Sequence, residues 1–106
     1  MKKIDASKVL IGLDRKSLKF ENEDFSVGRA ISTILVGGKD KSFDPFKSWK
    51  IAQRFYDGGV IDLDEADLQS LRTCIESSGH QAYGNIVIGQ LIEILNNARD
   101  AKDMDL

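Results

Sequence analysis

The sequence predicts a mainly α fold, with a short N-terminal β-hairpin followed by about four helices in one compact domain. Three observations predict it. Apolar residues recur at three-and-four spacing in four separate windows, the signature of one-sided helices. Helix punctuation brackets those windows, with Ser26, Asp44-Pro45 and Asp64 at starts and Gly37-Gly38, Gly58-Gly59 and Gly79 at ends. A chain of 106 residues, 42% hydrophobic and 30% charged with a single proline, has the size and composition of a domain with one core.

The first twenty residues supply the hairpin. "KVLIGLDRKSLKF" places Val9, Leu10, Ile11 and Leu13 before a polar "DRKS" turn, and Leu18 and Phe20 after it. A lone two-stranded hairpin is marginal in water, so this one is expected to lie on helices. In "FSVGRAISTILVGG" the period changes: Ser26 is the expected N-cap, and Val27, Ala30, Ile31, Ile34 and Leu35 form one stripe. Gly37 and Gly38 are expected to end it, Gly being favoured there for its access to the left-handed conformation.

"KDKS" reads as a solvated connector. In "FDPF", Asp44 can accept backbone N–H bonds as N-cap while Pro45 occupies the first helical position, where its missing donor costs nothing. That helix is expected from Pro45 to Asp57, stopped by Gly58 and Gly59. Val60 to Leu63 is a short extended piece that carries apolar residues inward or adds a strand to the hairpin. Asp64 then caps a third helix with Glu65 and Asp67 in its first turn, where negative charge suits the dipole. Leu68, Leu71, Cys74 and Ile75 are its stripe, and Gly79 its expected end. The last helix is expected from Asn85 to about Arg99, with Val87, Ile88, Leu91, Ile92, Ile94, Leu95 and Ala98 on one side. Residues 1–99 form the globular domain, and 100–106, "DAKDMDL", are expected to be a disordered acidic tail.

Five of the eight aromatic residues fall between Phe43 and Gly59. At about 100° per residue, the apolar positions of the helix there span an arc of about 220°, against about 100° for an ordinary surface helix. Two readings follow. The favoured one is a central helix contacted on several sides. The other keeps part of the arc for a partner, with Phe46 and Trp49 flanking the basic residues Lys47, Lys50 and Arg54 in a contact patch, since Trp and Arg are enriched where interfaces derive their energy.

Charge is uneven along the chain. Residues 1–54 carry a net +5 and residues 55–106 a net −7, for −2 overall. The expectation is that the halves pack together and their charges interleave; the alternative is a basic face that meets an anionic partner. Nucleic acid is one such partner for Lys47, Lys50 and Arg54, a weak signal in a chain whose pI is near 5.3. Gly89 is the other candidate contact. Glycine inside a helix costs about 1 kcal/mol relative to Ala, and this one lies off the main stripe, where a second copy of the chain could approach closely. A tolerated surface glycine is the competing reading.

Signatures of chemistry are weak or broken. "DLDEAD" begins like a calcium loop but has Ala66 at the fifth position, Asp67 where the turn glycine belongs and Thr73 where a bidentate Glu should sit. Helix capping accounts for those carboxylates. "VGGKDKS" lacks the glycine spacing and the adjacent hydroxyl of a phosphate loop. One cysteine, Cys74, and one histidine, His80, are too few for a zinc site, and Cys74 sits on an apolar stripe rather than beside a base. No enzyme activity, cofactor or metal is expected. With no long apolar run, with early charges in "MKKIDASKVLIGLDRK" and with one cysteine, a cytoplasmic protein without a membrane span is expected.

From Lys47 onward, "KSWKIAQRFYDGG", "VIDLDEADLQSLRTCI" and "IVIGQLIEIL", with the Gly89-Gln90 pair, resemble a group of small phage and prophage proteins of uncharacterised function. "LIGLDRKSLKF" followed by "FSVGRAISTIL" fits their order of hairpin then helix, departing at Lys16, where the usual turn has glycine. The resemblance implies a protein that contacts a host or phage protein, or assists assembly, in the host cytoplasm. The sequence therefore points to a non-enzymatic protein-binding module. A self-associating assembly factor and a nucleic-acid accessory protein are the alternatives.

Overall fold

A computed structural model describes residues 2–38 and 43–100. The "KDKS" connector and residues 101–106 of the acidic tail lie outside the described residues. Four helices are present: α1 (Val27–Gly37), α2 (Pro45–Asp57), α3 (Glu65–Ala82) and α4 (Asn85–Asn96). Strands β1 (Lys2–Asp5), β4 (Val60–Leu63) and β5 (Arg99–Asp100) form an antiparallel sheet in the order β4-β1-β5, while β2 (Lys19–Phe20) and β3 (Glu23–Asp24) form a separate hairpin.

The fold is mainly α with a short antiparallel hairpin near the N-terminus, as expected, but the hairpin is displaced. Its regular pair is β2–β3, turned through Glu21 and Asn22, both left-handed at φ 52° and 69°. Two consecutive positive φ values match the right-handed twist of the flanking strands, so the chain reverses most tightly there. The "DRKS" segment folds as a looser loop. Gly12 and Arg15 donate to the carbonyls of Lys16 and Gly12, and Ile11 opposite Ser17 is a single bridge. Leu10, Leu18 and Phe25 then connect by backbone bonds of 2.8–2.9 Å, and the buried Leu10 and Phe25 lead the meander into the core.

The Val60–Leu63 piece pairs with β1 rather than with that hairpin. Ile4 faces Ile61 across the ladder, both buried. The strand β1 itself is hidden in sequence by its charges, Lys2, Lys3 and Asp5. On its other side Arg99 and Asp100 pair with Lys3 and Lys2, so α4 stops at Asn96 rather than running to Arg99.

Helix starts follow the caps: Ser26, Asp44 and Asp64 each accept a backbone N–H from the residue three places on. Two glycines depart from expectation. Gly38 ends α1 in extended backbone at φ −73°, not left-handed. Gly79 does not end α3, which continues to Ala82. A Cβ there would lie 2.5 Å from Ile88 Cδ1, so the missing side chain lets α4 press against α3.

The helix at the centre is α1, which packs against α2, α3 and α4, with Val27, Ala30 and Ile31 fully buried. Against the favoured sequence reading, α2 lies at the edge. It leans on α1 through Ile51, Ala52 and Phe55, and its remaining aromatics face outward. No helix among the described residues is long and apolar enough to cross a membrane.

Candidate partner-binding face

Helices α1 and α2 form an antiparallel pair that is in close backbone contact at Gly28. A Cβ at this position would sit 2.0 Å from the Phe55 carbonyl oxygen and 2.9 Å from that of Ala6, so only glycine permits the crossing. With the N-terminal end of α1 held against the C-terminal end of α2, outer residues meet in reversed order. Arg29 lies over Tyr56, its Cζ 5.4 Å from the ring centroid, at one end. Val36 and Trp49 share the other end, and Thr33 and Gln53 lie between.

Each helix thus contributes residues i, i+4 and i+7: Arg29, Thr33 and Val36 from α1, and Trp49, Gln53 and Tyr56 from α2. Such positions share one helical face. All but Arg29, which lies over Tyr56 at one end, line an open groove of about 780 Å³. Its apolar walls are wet: Trp49 is 54% exposed, Tyr56 60% and Val36 56%. Phe46, one turn before Lys50 on the same helix, is 69% exposed.

The sequence-predicted patch is divided by this geometry. Phe46, Trp49 and Lys50 stand together on the outer face, with Lys50 Nζ 5.7 Å from the Phe46 ring centroid. Lys47 turns toward α3, where its Nζ lies 2.6 Å from Asp67 Oδ1. The Asp67 hydrogen bond, reinforced by the charges of Asp67, Asp64 and Asp44, raises the Lys47 pKa above its usual value of 10.5 despite some desolvation. Arg54 donates from Nη2 to the Asp62 carbonyl at 3.1 Å, bracing α2 against β4. Two of the three predicted cations therefore have partners within the chain.

Sequence reasoning missed the α1 wall and Tyr56. The signal available was Val36, an apolar residue off the buried stripe of α1. Two exposed cations, Arg29 and Lys50, are each held over an aromatic ring beside the groove; Arg29 also faces Glu23, its Nη1 3.4 Å from Oε2.

Gly89 lies elsewhere, exposed on α4, with nothing within 4 Å of where a Cβ would be. Its neighbour Gln90 is half-buried and bonds both backbone groups of Ile11. Oε1 accepts from the Ile11 N–H at 3.0 Å, and Nε2 donates to the Ile11 carbonyl at 2.7 Å. Cys74 is buried in α3, while the exposed His80 ring meets Asn85 Oδ1 at 2.9 Å. Among the described residues no three His, Cys, Asp or Glu side chains gather where they could hold a metal ion. No family model, curated protein or solved structure matches this chain.

Proposed function

We propose that this protein is a non-enzymatic binding module that takes a segment of another protein into the α1–α2 groove. The observation that carries the reading is the outward display of Phe46, Trp49 and Tyr56, each more than half exposed on one helix, with Val36 across from them. Large apolar groups gathered on a surface and flanked by charge are characteristic of interaction sites. Two facing i, i+4, i+7 rows suit an amphipathic helix laid along the groove. Lys50, exposed beside Phe46 and Trp49, favours a segment with a carboxylate beside its apolar anchors.

A protein segment fits better than nucleic acid, because among the described residues of this face Lys47, Arg54 and Arg29 are engaged by Asp67, Asp62 and Glu23, and a phosphate backbone needs a run of available cations. The resemblance to phage proteins directs the first search for that segment to host and phage proteins. Affinity capture, followed by titration of the captured segment, tests the reading. Trp49→Ala should remain folded, within about 1 kcal/mol of wild-type stability, and weaken binding by about 2 kcal/mol or more. Phe55→Ala, on the buried side of the same helix, should instead cost about 3–5 kcal/mol of folding stability. Equal binding by the Trp49 variant, or binding that falls steeply with salt and is carried by polynucleotide, would sink the proposal.

A further inference from the structure

The loop of residues 8–15 and helix α4 enclose a second groove, of about 540 Å³, that shares no lining residue with the first. Its α4 side has Gly89 at its middle, with open space where a side chain would project. Beside it stands Leu13, 97% exposed, with Ile11 and Ile86 each 42% exposed. The loop that carries this leucine is held in place. Gly12 N–H to the Lys16 carbonyl, Arg15 N–H to the Gly12 carbonyl and Lys16 N–H to Asp14 Oδ1 tie its turn, all at 2.9–3.0 Å. Gln90 clamps its stem at Ile11. Leu13 is therefore a preorganised knob beside a groove of its own chain that it does not fill.

Charge on this face is divided in the same way. Lys8 and Arg15 border the groove from the loop, and Glu93 borders it from α4. A two-fold rotation about an axis through the groove carries the loop side of one copy over the α4 side of another. That single operation sets knob against groove and cation against carboxylate twice over, as a self-complementary two-fold interface requires. We propose that this face joins two copies of the chain, Leu13 of each seated over Gly89 of the other, with Lys8 and Arg15 facing Glu93 across the rim.

Sedimentation equilibrium on the full chain, from about 10 µM to about 1 mM, tests it. The mass should rise toward twice that of the monomer. Leu13→Asp and Gly89→Leu, both at exposed positions and so folded by circular dichroism, should each raise the dimer dissociation constant at least about tenfold. Glu93→Lys should weaken the dimer, and adding Arg15→Glu to it should recover part of the loss. Trp49→Ala should leave the mass unchanged, which separates this interface from the α1–α2 groove. A monomer throughout the range, or a dimer indifferent to Leu13→Asp, overturns the proposal.

Discussion

Gly28, Gly79 and Gly89 all lie inside helices, and the surroundings of the first and the last give them opposite roles. Gly28 is where α1 passes over Ala6 and Phe55; the Cβ of an alanine would meet two backbone oxygens that no side-chain rotation can move aside. Gly89 faces open space. Alanine lowers the entropy lost on forming a helix by about 1 kcal/mol relative to glycine, so the sign of each substitution depends on contact alone. Gly28→Ala should destabilise the fold by about 1–3 kcal/mol or more, because the crossing must open. Gly89→Ala should stabilise the monomer by about 1 kcal/mol. Urea unfolding of the two variants side by side checks both, and equal effects would contradict the geometry. Nothing in the local sequence distinguishes these glycines, since the atoms that crowd Gly28 come from residues far along the chain.

Element by element, what could be read from sequence was what local chemistry decides. Asp44-Pro45 and Asp64 mark helix starts because a carboxylate, a fixed φ and free N–H groups meet within four residues, and both starts lie where expected. The buried stripes of α1 and α3 were equally legible. Strands β1 and β5 were not, because segments of four and two residues acquire their conformation only from partners more than fifty residues distant. The candidate groove was half legible: the wide aromatic arc of α2 announced its outer face, whereas the α1 wall offers a single apolar residue. The staple between Gln90 and Ile11 also spans the chain, and it has a measurable consequence. Gln90→Leu keeps helix propensity and removes both bonds to Ile11, so α4 should persist while the Ile11 amide loses protection from hydrogen exchange by about tenfold or more, the equivalent of one net hydrogen bond. Unchanged exchange at Ile11 would show that the loop is held by its own turn.

At the level of the whole molecule, the opposite charges of the two halves of the chain are brought into register rather than held apart. Lys3 lies directly across the ladder from Asp62, with Nζ 3.9 Å from Oδ1, and Lys47 reaches from α2 to Asp67 on α3. Each pair links the basic half to the acidic half, so the dipole implied by the sequence is partly cancelled where the halves meet. The Lys47 link also gives folding a pH signature. Its pKa is raised in the folded protein above 10.5, chiefly by the hydrogen bond to Asp67. A cation whose folded pKa exceeds its unfolded value contributes its full stabilisation below the unfolded pKa and loses it as pH climbs through the folded one. At neutral pH the contribution is complete, and it fades only in the alkaline range above 10.5. Lys47→Met should therefore be less stable than wild type at pH 8, with the gap narrowing as pH rises above 10.5, because the other lysines titrate alike in both proteins. Urea titrations of the pair across that range measure the gap directly. A gap that stays constant would mean that Lys47 supports α2 through its aliphatic stem rather than through its charge.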